Sequence, residues 1–442
     1  MARAMRDYGY LRREQSSLTQ GYLFGRRKGR GISPLFLLAW GMAMAGVLYV
    51  IANMQTIQPQ VLAMVAEHPT ITPGGISYAQ RGDQAFWAGD LDAAVENYRR
   101  AANSIPNNIS IIYELARILI YRSYGDVRNF QDIDEALTWA GKAIQVAPEN
   151  PRAYAIYCFA LVRAGKSSDA SRECLRALDF DPNAADAHAY LSMASFDLRR
   201  TATALDEAEK AVRLDPKNID ANIAYARTLS FQGRVSMALT HYEAAASVNM
   251  NLEFPYFEMA FFAYNLANRN NGDEARYRIA INAYETVLKR NPKSVKAYTR
   301  LCQTYLAKGE PKLARQYCME ATEVDPGYTA AWRWLGEVYH KSRNYEDAVD
   351  AFAECQRQEI ALGLPTDARD PTCWWLQGVG YFILGQCDRA IPLLEEVLRW
   401  TTDDIAIRET NRTLLKCATA YQGTYKTPTP VPTATPRPTP IL

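Results

Sequence analysis

Pro148, Pro182 and Pro216 stand 34 residues apart, and the residues between them keep step. Tyr154, Gly165, Ala170, Ala177 and Pro182 hold fixed offsets in the first interval, and Leu191, Ala204, Ala211 and Pro216 hold the same frame in the second. Such a period marks one supersecondary unit copied along a chain, each copy burying its apolar face only against its neighbours. The chemistry at each position says what the unit is. Two helices approach closely only where small side chains meet, which places the alanines. Gly165 lets the backbone turn between the helices, and proline, unable to continue a helix, ends the pair. The expected fold class is therefore all-α, an α-solenoid of antiparallel helix pairs.

The frame recurs most fully at Trp332, Leu335, Gly336, Tyr339, Ala348 and Phe352. In this form the pattern resembles the tetratricopeptide repeat, a helix-turn-helix family, and the resemblance implies a superhelix (a TPR superhelix) whose concave groove binds a protein or peptide. About nine repeats are expected over residues 76–402. The second and sixth run to 42 residues, with the excess falling in Tyr121 to Asp132 and in Asn268 to Arg278, and the run Glu359 to Pro371 lengthens the connection between the eighth and ninth. Residues 403–422 predict a capping helix, apolar at Ile405, Ile407, Leu414 and Leu415 and polar at Arg408, Glu409, Arg412 and Lys416, since the last repeat of a solenoid must present a polar outer side. Residues 423–442 alternate proline with threonine, cannot form a core, and predict an extended tail.

Ahead of the repeats the composition changes. Residues 1–32 carry eight basic residues against Asp7 and Glu14, a head of +6 that leaves −4 on the remainder of a chain whose formal net charge is +2. A mildly acidic body argues against nucleic acid as a partner, because phosphate binding needs clustered cations on the binding face. From Gly31 to Ala66 no residue is charged, and Leu35 to Ala52 is almost wholly apolar. A bilayer core takes about 20 apolar residues as helix, so residues 33–54 predict a single transmembrane anchor and residues 55–75 a juxtamembrane linker. The positive-inside bias keeps the basic head in the cytoplasm and sends repeats and tail across the membrane. The rival is a cleaved signal peptide ending near Val50, Ile51, Ala52; the length of the apolar run and of the head favours a retained anchor.

Eight cysteines test the frame independently. In a tight helical hairpin, facing residues have repeat positions that add to a constant. With the closing proline numbered 32, Cys158 and Cys174 fall at positions 8 and 24, and so do Cys302 and Cys318. Across the junction between repeats, Cys355 with Cys373 and Cys387 with Cys417 satisfy the corresponding sum. The alternative is that these are small buried free thiols. The even count and an oxidising compartment favour four disulfides, although sequence alone does not fix connectivity.

No catalytic, cofactor or metal constellation is legible. AGKSS at Ala164 to Ser168 lacks the earlier glycine of a phosphate loop, Ala160 standing in its place, and His68, His188, His241 and His340 are scattered without a second ligand at metal spacing. By the resemblance, first helices line the concave face, which carries over to Tyr113, Arg117, Phe159, Met193, Phe196, Arg227, Phe257, Phe261, Tyr264, Gln303, Arg333, Glu337, Trp375 and Phe382. Repeat six, with three aromatics on one stripe, resembles a hot spot. Family members that clamp a C-terminal carboxylate use lysines and an asparagine. Lys296 and Arg300 match the last part of that clamp, but Ile223 and Arg227 replace the earlier part. The expected role is a non-enzymatic, membrane-anchored scaffold for an envelope or surface complex. The alternatives are a receptor for glycan or wall polymer, and a subunit that self-associates by end-to-end stacking.

Overall fold

The computed structural model describes residues 42, 44, 45, 74–124, 129, 131–269 and 272–420. The chain divides into two units, Met1–Thr72 and Pro73–Leu442, and the repeats belong to the second. The basic head, all of the expected anchor except Met42, Met44 and Ala45, most of the linker and the proline-threonine tail lie outside the described residues. Among the described residues no helix is long and apolar enough to cross a membrane.

Among the described residues the second unit has helices and no strands. Nine hairpins succeed one another: α1 (Gly75–Ala88) with α2 (Leu91–Ser104), α3 (Ile109–Arg122) with α4 (Asp132–Val146), and α5 (Pro151–Arg163) with α6 (Ser167–Phe180). Next come α7 (Ala185–Asp197) with α8 (Thr201–Leu214), α9 (Ile219–Phe231) with α10 (Val235–Val248), and α11 (Phe254–Arg269) with α12 (Glu274–Arg290). The last three are α13 (Val295–Lys308) with α14 (Pro311–Val324), α15 (Thr329–Lys341) with α16 (Tyr345–Ala361), and α17 (Pro371–Ile383) with α18 (Cys387–Leu398). A single helix, α19 (Asp404–Ala420), ends the array. First helices begin on side-chain caps at several junctions: Asn108, Asn150, Asn218 and Asp370 each accept a backbone N–H from the first turn, one of the donors a helix start leaves unmatched.

Two repeat positions explain the tight hairpins. The turn residue is left-handed in most repeats. Glycine supplies it at Gly165 (φ 72°) and Gly309 (φ 86°), and Arg199 and Arg343 adopt it at φ 62° and 61° in the two repeats that lack glycine there. Position 8 meets position 24 of the partner helix at the closest approach. A methyl group on Gly336 would lie 2.6 Å from Phe352, and one on Gly82 would lie 2.5 Å from Tyr98. The same two positions hold Cys158 with Cys174 and Cys302 with Cys318, whose Cα atoms are 5.4 and 5.2 Å apart. Cys355 joins α16 to Cys373 of α17, and Cys387 joins α18 to Cys417 of α19. The eight cysteines thus meet in the four expected pairs, and none of the eight is free.

The long repeats differ from one another. In the second, α3 ends at Arg122 and α4 starts at Asp132, so the extra residues lie between the helices, as expected. In the sixth, α11 and α12 have lengthened to 16 and 17 residues, so the excess is absorbed largely as added helical turn. In the eighth, α16 runs on to 17 residues before the short 3-10 turn Thr366–Ala368.

The superhelix closes on itself near its start. Asn249 Nδ2 donates to the Phe86 carbonyl at 2.9 Å and Asn251 Nδ2 to that of Trp87 at 2.9 Å, tying the end of α1 to the turn before α11. Inside this closure the Tyr121 ring stacks between Phe86 at 6.3 Å and Phe254 at 5.3 Å. The first helices α3, α5, α7 and α9 pack directly against one another in succession, while from α9 onward each first helix touches the next one less.

Candidate partner-binding groove

This gradient of packing splits the concave face into a closed half and an open half. In the closed half, Tyr113 and Phe159, expected on an accessible lining, are buried at 2% and 0% exposure, and Met193 is buried with them. The correction follows from pitch: where first helices abut, residues at these positions meet across the axis and become core. Phe159 stacks on Tyr190 with ring centroids 4.2 Å apart. Most of the polar groups drawn in with them pair with one another, although Asp220 Oδ1 has no hydrogen-bond partner among the described residues. The Tyr113 hydroxyl donates to Asp186, and those of Tyr121 and Tyr190 donate to Asp220 Oδ2 at 2.9 and 3.0 Å. Burial pushes the Asp220 carboxyl up to about 6, with the charge of Arg117 opposing that rise. Arg117 itself pairs with Glu114 at 2.6 Å and lies 5.1 Å over the Phe86 ring. Arg227 forks onto Glu258, Nε and Nη2 donating at 2.9 and 2.8 Å. Phe196 is half-buried, edge-on to Phe231 at 5.7 Å.

The open half is built from α11, α13, α15 and α17. Phe257 and Tyr264 are half-buried, and Phe261 between them is 40% exposed. Gln303 on α13 donates to the Tyr264 hydroxyl at 3.4 Å and accepts from Arg300 Nη1 at 2.8 Å, so the next first helix continues the same strip. On α15, Arg333 pairs with Glu337 at 2.9 Å and with Asp370 at 3.0 Å, its guanidinium 4.3 Å from the Trp334 ring centroid. Trp375 and Phe382 on α17 are half-buried, and Lys416 of α19 lies 5.6 Å over the Phe382 ring. The strip alternates aromatic faces with charge already neutralised by local pairs, a surface suited to contact area and hydrogen bonding rather than to attracting a bare ion. Of the clamp residues, Lys296 donates to the Tyr124 carbonyl, and Arg300 is engaged by Gln303.

Sequence reasoning missed three residues. Tyr124 belongs to the expansion of repeat two, which periodicity treats as an interruption, yet its ring lies 4.1 Å from Phe254 and 3.7 Å from the Arg163 guanidinium. Asp220 stands near the start of a first helix and looks like an ordinary exposed N-terminal carboxylate. Glu359 falls in the lengthened connection; it is 3% exposed, accepts the Asp370 N–H at 3.1 Å, and burial pushes its carboxyl up to about 7. Among the described residues no cluster of three or more His, Cys, Asp or Glu side chains is placed to hold a metal. His188 and His241 are engaged by Glu207 and Asn222 inside the array.

Family models described as tetratricopeptide repeat match residues 160–219, 273–326 and 304–358. Among curated proteins, the chain is similar to Hsp70-Hsp90 organizing protein 3 of Arabidopsis thaliana, 22% identical over 275 residues, covering 62% of this chain and 40% of that protein. It is similar also to DnaJ homolog subfamily C member 3 of Bos taurus, 21% identical over 302 residues, covering 64% of this chain and 54% of that one. The chain thus spans about half the length, or less, of these relatives. Among solved structures, the APC/C hetero-tetramer Cut9-Hcn1 matches with a TM-score of 0.44 and 16% identity, over 77% of this chain and 76% of that one. The matched segments are tetratricopeptide repeats, and the array they belong to is an all-helical solenoid of that type.

Proposed function

We propose that this protein is a non-enzymatic interaction scaffold that captures a protein or peptide along the strip formed by α11, α13, α15 and α17. The carrying observation is Phe261, a large apolar side chain 40% exposed on α11 between Phe257 and Tyr264, where the rest of the aromatic lining is at least half covered. A ring held on a rigid helix offers contact area at small entropic cost on binding. The likeness to Hsp70-Hsp90 organizing protein 3, named for organizing other proteins, supports a binding role.

We propose further that the scaffold is membrane-anchored by residues 33–54, with the basic head in the cytoplasm and the repeats and tail on the other side, organising an envelope or surface complex. The apolar run Leu35 to Ala52 behind a +6 head and the pairing of all eight cysteines support this reading.

The capture site is tested with a photo-crosslinking amino acid in place of Phe261 in living cells, the captured species being identified by mass spectrometry, alongside Phe261→Ala. One defined protein should be recovered, and truncation should weaken its binding by about tenfold or more, the usual scale for a hot-spot aromatic. Because the ring is exposed, the melting temperature should not move. Unchanged capture by the alanine variant would remove this strip from the site.

A further inference from the structure

The closed half of the channel is shut partly by a segment that the repeat frame does not need. Repeats of 34 residues close here without any counterpart of the run between α3 and α4, so Tyr124 is an addition to the array rather than one of its packing positions. It sits in the concave channel as a bound ligand would. Its ring is held between the Arg163 guanidinium of α5, 3.7 Å from the centroid, and the Phe254 ring of α11, 4.1 Å away. Its backbone carbonyl accepts a hydrogen bond of 2.6 Å from Lys296 Nζ, contributed by α13 across 172 residues of sequence.

These are the contacts by which an extended peptide is read: main chain by a donor, side chain by a pocket. The fit is incomplete, because the Tyr124 hydroxyl and Arg163 Nε are both buried without a hydrogen-bond partner among the described residues. A polar atom buried in that way costs free energy, which lowers the advantage of the self-contact over a better-matched occupant.

We propose that this pocket, formed by Arg163, Phe254 and Lys296, receives an extended peptide segment carrying an aromatic side chain, and that Tyr124 occupies it in the free protein as an internal competitor. The inference rests on the scaffold reading and names a second recognition point together with its regulation. An incoming segment gains the stacking and the lysine donor only by displacing Tyr124, so apparent affinity is reduced by the fraction of molecules in which the pocket is filled.

The test uses the full chain and a fluorescein-labelled synthetic peptide with the sequence of residues 121–131, YRSYGDVRNFQ, followed by fluorescence anisotropy. Tyr124→Ala should bind the peptide at least tenfold more tightly than the unaltered chain, and Lys296→Ala added to that variant should remove most of the gain. A peptide with alanine in place of its second tyrosine should not bind. Equal binding to both chains, or none to a Tyr124→Ala variant that keeps its helical signal and melting temperature, would overturn the proposal. Failure of Tyr124→Ala to fold would also overturn it, by making the ring a fixed part of the core. Crosslinking from position 261 separates the two readings: capture that persists while the peptide fails leaves the scaffold intact and removes only this pocket.

Discussion

Replacing Glu359 by glutamine should stabilise the array at neutral and alkaline pH and leave it unchanged in acid. Glu359 lies at the end of α16, where the chain turns toward α17, and it is 3% exposed. Burial is the main cause of its raised carboxyl, aided by the negative charge of Asp370 and opposed by Arg369, Arg333 and the N–H of Asp370. The sign follows from proton counting. Below about 4.5, the ordinary value for glutamate, folded and unfolded chains both hold the proton and there is no penalty. Between that value and about 7 the unfolded chain releases its proton while the folded one keeps it, so stability falls as pH rises; above about 7 the loss is complete. A displacement of that size corresponds to about 3 kcal/mol. Glutamine keeps an acceptor for the Asp370 N–H and carries no charge to desolvate. In urea titrations of the full chain followed by tryptophan fluorescence, which includes Trp374 and Trp400 in edge contact at 5.5 Å near this junction, the variant should gain up to about 3 kcal/mol at pH 8 and nothing at pH 4. The same difference at both pH values would refute the argument from ionisation, and a loss at pH 8 would mean that the carboxylate is held by a stabilising partner.

Two other perturbations address the closure and the compartment. Gly89→Ala should detach the first hairpin, because Gly89 is left-handed at φ 84° and a Cβ there would collide with the Asn251 carbonyl oxygen. Amide exchange in α1 and α2 should then accelerate while α13 to α18 stay protected, at a cost of about 2 kcal/mol or more, and unaltered exchange in α1 would show that the contact is not needed. If the repeats lie beyond the membrane, protein taken from cells and alkylated in denaturant without reductant should have none of its eight cysteines modified; modification of all eight would put the repeats in a reducing compartment.

The helix pairs were legible from sequence because each repeat contacts mainly its neighbours, so local periodicity and long-range structure carry the same information. The meeting of positions 8 and 24 is a property of one hairpin, which is why it accounts for Gly336 against Phe352 and for Cys158 against Cys174 alike. The groove was less legible. Tyr113, Phe159 and Phe261 follow the same carry-over from first-helix positions, yet the first two are core and the third is open surface.

Sequence by itself determined the period, the succession of hairpins, which cysteines fall at facing repeat positions and the break in composition ahead of the repeats, because these depend on contacts within a repeat or with the next one. Only the tertiary structure decided where the concave face is closed. Small differences in packing between successive first helices accumulate along the array, and they alone set whether Phe86 meets Phe254 through Tyr121, whether Tyr124 reaches Lys296, and whether an aromatic on the inner face becomes core or stays exposed. No residue encodes that sum locally.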